Sequence, residues 1–302
     1  MQDILVKAGC YIAIIILGYV LRRRGVFGGN AFPVISALVV KITMPAAIIA
    51  SSAGKPIHVS MLAITALGFG AGLIYMVLAA LLYRKQGKEK QAFAILNTPG
   101  YSIGTFAMPF TQSFLGSMGV ITTSLFDVGN AFICLGGAYG VAAAVKAGEG
   151  FNVKRILRAL SHSVPFLAHI MMVSLNLLGW TLPAPVLSFT KIIGDGNAFL
   201  AMLMIGVGFQ LSGEREQMGD IARILLTRYG LAAVLALVFY FVLPFELEVR
   251  QALVILAFAP IGSAVPGFTQ ELKGDVGLSS AINSVAIVCS IVITVVLLVV
   301  ML

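Results

Sequence analysis

Charge is what this 302-residue sequence has least of. Asp, Glu, Lys and Arg together make up 11% of it, while hydrophobic residues make up 59%. A soluble globular domain carries roughly 25% charged and roughly 45–50% apolar residues. So little polar surface cannot clothe a water-soluble body, and so apolar a chain is not a disordered one. Cysteine is scarce too. Cys10, Cys134 and Cys289 each sit inside an apolar run and read as buried thiols, not as a disulfide framework or a metal-ligand pattern. No HExxH, CxxC or Walker sequence is present, so no cofactor or metal is expected. No cleavable leader is expected either, because Arg22, Arg23 and Arg24 follow the first apolar run instead of preceding it.

What the chain does have is a succession of long apolar runs, with a mean hydropathy of +1.01. A transmembrane helix needs roughly 20 such residues. Reading the runs against charged breaks predicts ten spans, at about 4–21, 32–51, 60–83, 91–113, 118–144, 163–181, 187–211, 222–243, 250–270 and 279–302. The breaks between them are short and leave no room for a soluble domain.

Charge sign then orients the layout. Fifteen basic residues fall in alternate breaks: Arg22, Arg23, Arg24, Arg84, Lys85, Lys88, Lys90, Lys146, Lys154, Arg155, Arg158, Arg215, Arg223, Arg228 and Lys273. Only Lys7, Lys55 and Arg250 fall on the other side. Basic residues collect on the cytoplasmic face. The bias therefore predicts an even number of spans with both termini extracytoplasmic. It also explains the net charge of +8 as topology, not as a nucleic-acid footprint.

The polar stretch 146–162 is expected to be a cytoplasmic connecting loop, with one five-span repeat in 1–145 and a second in 163–302. An odd number of spans per half inserts the second half upside down, as in inverted-repeat transporters. The expected fold is thus all-α and integral to the membrane: ten helices in two inverted repeats, with crossed, broken helices four and nine.

The two breaks are the strongest local signal. The fourth span contains Asn97, Thr98, Pro99, Gly100, Tyr101 and Ser102; the ninth contains Pro260, Ile261, Gly262, Ser263 and Pro266. Proline removes a backbone donor and glycine loosens the helix. Unwound backbone at membrane depth survives only against protein or a water-filled cavity. Each break also exposes a half-helix N-terminus with partial positive charge, so two that meet make an anion site. These eleven residues are the expected substrate-binding set.

Several motifs resemble the auxin efflux carrier family. They are Leu17 to Gly25 at the end of span one, the Met44-Pro45-Ala46 step, the Asn-Thr-Pro break and the Pro-rich ninth span. Gly194-Asp195-Gly196 followed by Met202 to Gly206 completes the set. The likeness covers nearly the whole chain. It lacks the long hydrophilic loop of the plant carriers and so resembles a compact prokaryotic member of the inner membrane. The resemblance implies a fold similar to that of the bile acid sodium symporters. Spans 1, 2, 6 and 7 would form a scaffold, and spans 3–5 and 8–10 a crossover domain that moves like an elevator. It also implies an organic-anion substrate, a small carboxylate such as malonate or malate or an auxin-like acid. Gly100-Tyr101 stands where plant carriers tend to have an asparagine, which argues against indole-acetate specificity. Homodimers occur in related folds, though no residue here specifies an interface.

Polar groups inside spans supply the remaining candidates. Asp127 and Asn130 lie three apart on one face of span five, either as a proton or sodium coupling site or as structural partners. Lys191 and Asp195 are four apart and can pair, while the glycines flanking Asp195 also allow a substrate-facing role. Lys41, near mid-span, either neutralises a substrate carboxylate or one of the buried aspartates, or snorkels toward the cytoplasm. His169 reads as a core histidine. Transport of an organic anion is the leading expectation. The alternative is a cation-coupled symporter or cation/proton antiporter of the same fold using Asp127. An intramembrane protease pair fails, since residues 192–195 read Ile-Ile-Gly-Asp and lack one glycine.

Overall fold

The computed structural model describes residues 2–28, 30–55, 59–147, 153–209 and 217–302. Within them the chain is helical: α1 (Gln2–Arg23), α2 (Ala31–Ser52), α3 (Ala63–Tyr83), α4 (Lys88–Asn97), α5 (103–114), α6 (Gly116–Lys146) and α7 (Val153–Ser161), followed by α8 (Val164–Leu177), α9 (Ala184–Gly208), α10 (Met218–Phe241), α11 (Leu247–Ala257), α12 (Val265–Glu271) and α13 (Val276–Met301). Among the described residues, seven helices are long and apolar enough to cross a membrane. The number is eight if α7 and α8, bent 76° apart, count as one span. The ten expected spans include three that do not pass singly. One is α8. The others are the fourth and ninth, because each splits into two short halves, α4 with α5 and α11 with α12.

Proline explains the irregular turns. A proline nitrogen cannot bond the carbonyl four residues back. Pro45 and Pro109 each follow a π-helical turn, Val39–Thr43 and Ile103–Ala107, that absorbs the lost bond.

Glycine sets the closest helix contacts. A Cβ on Gly18 of α1 would lie 2.5 Å from Leu203 O of α9, and one on Gly206 would lie 2.0 Å from Ile15 O. The same reciprocal crossing joins α3 to α6, where Gly68 faces Phe126 O at 2.1 Å and Gly129 faces Thr65 O at 2.0 Å. No side chain fits at either crossing. With little hydrophobic drive between helices in lipid, such backbone approach and dispersion packing hold them together.

Two expectations need correcting here. The stretch 146–162 is not a loop throughout, since it contains α7, in which Ile156 and Leu160 are buried four residues apart. Charge density hid that apolar stripe. Cys10 is not buried but exposed on α1. An apolar run in a membrane protein has a lipid-facing side, so apolar sequence does not imply burial. Residues 148–152 and Arg215 lie outside the described residues.

Candidate functional site

The two breaks meet. The backbone N–H of Ser102 donates to Pro260 O at 2.8 Å, directly joining the unwound segments of the two interrupted helices. Gly100 makes the first break passable, with φ +77 and a Cβ position only 2.6 Å from the Cys134 sulfur. Only glycine tolerates both the left-handed backbone and the missing space.

Around this crossing the helix ends sort by polarity. The C-terminal ends of α4 and α11 point at Arg228 of α10, which is 1% exposed. Its Nη1 donates to Thr98 O and its Nη2 to Ala259 O, each at 2.6 Å. The rings of Tyr75 and Tyr101 flank the guanidinium, with centroids 5.4 and 5.1 Å away. Tyr75 OH donates to the Arg228 carbonyl at 2.9 Å. Arg228 is therefore not one of the cytoplasmic-loop charges. Fourteen basic residues then remain in that set of sequence breaks. A charge six residues into a predicted span was the available signal.

The first turns of α5 and α12 face the other way, into a cavity of about 570 Å³. Ser102, Thr105, Pro260, Ser263 and Pro266 line it, opposite the ends of α1, α2 and α9. Asn283 and Ser284 of α13 add polar surface. Among the described residues Arg22 is the one charged residue on its wall, and its Nη1 donates to Val207 O at 2.8 Å. Ser102 Oγ and Thr105 Oγ1 are 2.6 Å apart. Towards the far ends of α2 and α5, packing is apolar: Met44, Ile48, Met108, Val120, Ala168 and Met172 form one cluster. Tyr11 OH donates to Pro109 O at 3.3 Å on the same side. None of these cluster residues lines the 570 Å³ cavity, whose wall includes Arg22 at the other end.

A smaller cavity of about 150 Å³ shares Ser102, Thr105 and Ser263 with the first. Its wall carries Tyr101, Gly262, Asp127, Asn130 and His169. Asn130 reads the backbone of the break: its Oδ1 accepts from Tyr101 N–H and its Nδ2 donates to Tyr101 O, both at 3.0 Å. The same Nδ2 lies 2.9 Å from Asp127 Oδ1, and Asp127 Oδ2 lies 3.3 Å from His169 Nε2. His169 belongs to α8, so this chain crosses from the broken segment to a neighbouring unbroken helix.

Not every sequence candidate comes to these cavities. Asn97 is buried but turns away: it accepts from Ser279 Oγ at 2.5 Å and donates to Thr269 Oγ1 at 3.3 Å, tying α4 to α12 and α13. Thr98 contributes its carbonyl to Arg228. Pro99, Gly100 and Ile261 shape the breaks without lining either cavity. Lys191 and Asp195 pair at 2.9 Å on the exposed face of α9, and Lys41 is exposed on α2, so neither cavity includes these three.

The membrane transport protein family matches residues 10–300, nearly the entire chain. The chain belongs to the auxin efflux carrier family. The carrier is therefore a multi-pass membrane transport protein and not an enzyme. No curated protein matches it by sequence. Among the described residues no group of His, Cys, Asp and Glu side chains is arranged to hold a metal ion.

Proposed function

We propose that the carrier moves a small organic anion, a carboxylate of malonate or malate size, by alternating access at the crossover. The observation that carries this reading is the electrostatic sorting of the 570 Å³ cavity. Among the described residues its wall has the positive first turn of α5, the hydroxyls of Ser102, Thr105 and Ser263, and Arg22, with no carboxylate. Arg228 neutralises the negative helix ends on the opposite side. The net field in the cavity favours an anion.

Ten spans in two inverted repeats are the topology that best accommodates the packing. α1 packs on α9 as α8 packs on α2, and α3 packs on α6 as α10 packs on α13. These are equivalent pairs if α1–α6 and α8–α13 are related by inversion. In this reading α1, α2, α8 and α9 are the scaffold, and α3–α6 with α10–α13 are the mobile domain. The cavity at the Arg22 end then corresponds to an inward-open state of an inner-membrane protein with both termini outside. The apolar Met44–Met108 cluster is the closed outer gate, which an elevator step would open. A second copy of the chain covering the Lys191–Asp195 face would take that ion pair out of lipid.

Uptake of labelled malonate and malate into proteoliposomes tests the proposal. Saturable flux, competed by unlabelled carboxylates, is expected; absence of saturable flux for any mono- or dicarboxylate refutes it. A second reading, proton or sodium coupling through Asp127, is favoured by its contact with His169 across the scaffold boundary. Under that reading Asp127→Asn abolishes gradient-driven accumulation but preserves anion binding. Unchanged accumulation removes it.

A further inference from the structure

We propose that the Arg228 guanidinium is a built-in cation, tethered where transporters with broken helices hold a mobile coupling ion. This assignment rests on the crossover reading above. In such transporters, half-helix C-terminal ends and unwound carbonyls coordinate sodium or a proton. Here α4 and α11 end at one point, each with a partial charge of about −0.5, so the pair presents about −1. The guanidinium supplies +1 there and bonds Thr98 O and Ala259 O, one from each break, at 2.6 Å.

Other features fit a fixed ion. Among the described residues no carboxylate lies within 4.0 Å of Arg228, so its counter-charge is the backbone itself. A charge buried at membrane depth without such compensation is strongly disfavoured. The planar fork reaches two carbonyls at once, which a lysine ammonium at the same position does not match. With the negative ends already neutralised, a sodium ion at this point would meet a like charge. Arg228 is thus a positioning residue that holds the two breaks in register and takes the place of a coupling ion there.

The test uses purified, detergent-solubilised protein and thermal unfolding, so it needs no substrate. Arg228→Ala leaves the two helix ends unneutralised and is expected to melt below wild type. Millimolar guanidinium chloride should restore about 3–5 °C at ten times its Kd, against N-methylglucamine chloride at equal ionic strength. An Asp127→Asn protein with Arg228 intact, which removes the other candidate sodium site, should respond to neither guanidinium nor sodium. The proposal is overturned if that protein gains stability from sodium, or if guanidinium shifts the Arg228→Ala variant no more than wild type. If Arg228→Ala yields no folded protein, Arg228→Lys replaces it: a lower melting point with sodium indifference supports the proposal, and a wild-type melting point overturns it. Failure here leaves the flux experiment untouched, and absent flux leaves this melting result standing.

Discussion

Removing Asn130 should unseat the first break more than its single amide suggests. The side chain occupies both backbone groups of Tyr101, accepting from N–H and donating to O at 3.0 Å each, and donates to Asp127 at 2.9 Å. Tyr101 is 2% exposed, so water does not replace what is lost. An orphaned buried backbone group costs about 1–3 kcal/mol. Polar interhelical bonds in membranes average nearer 0.6 kcal/mol, because the unfolded chain in lipid also finds partners. Tyr101 O keeps its bond from Ile103 N–H, so only Tyr101 N–H is orphaned. One orphaned group and two lost side-chain bonds, one of them to a carboxylate, then sum to about 2–4 kcal/mol for Asn130→Ala. That corresponds to a fall in Tm of about 4–8 °C by size-exclusion melting. Asn130→Asp should be no better, since it cannot donate to Tyr101 O and sets a second carboxylate beside Asp127. Adding Asp127→Asn to Asn130→Asp should then recover part of the loss. An Asn130→Ala protein that melts within about 1 °C of wild type would refute the reasoning, as would an Asn130→Asp protein milder than Ala.

Three other outcomes follow from particular contacts. Gly100→Ala meets both a left-handed backbone at φ +77 and the Cys134 sulfur at 2.6 Å, so it should lower Tm. Cys134→Ala in the same chain should recover only the steric share, and complete recovery or none would contradict the two-part cause. Gly206→Leu should prevent α1 from seating on α9, because even a Cβ there lies 2.0 Å from Ile15 O; monodisperse protein at wild-type yield would contradict this packing. Arg22→Gln should raise the KM for a carboxylate roughly tenfold, in line with loss of one charged contact of about 1.5 kcal/mol, with little change in Tm. An unchanged KM in the proteoliposome assay would remove Arg22 from the anion field.

The breaks themselves were legible because their causes are local. Pro99, Gly100, Pro260, Gly262 and Pro266 interrupt a helix through missing donors and permissive backbone, whatever surrounds them. The Lys191–Asp195 pair was legible for the same reason: four residues on a helix bring the two side chains together. Asn97 was misleading. Its place in the break suggested a ligand, yet helix rotation points its amide at Thr269 and Ser279. Arg228 was counted with loop charges because linear sorting treats a basic residue near a span end as solvent-facing.

Composition determined that the chain lives in a bilayer, and local backbone chemistry determined where two helices come apart. Tertiary structure decided which groups meet at the interruptions: Arg228 with Thr98, 130 residues away, and Asn130 with Tyr101, 29 away. It also decided that Lys41 and Cys10 face outward. The physical reason is that lipid is as apolar as a protein core. In water, a helix's buried side is marked by hydrophobic periodicity. In a membrane both sides are apolar, so the rotation of each helix is set by close packing at glycines and by a few polar contacts between distant segments.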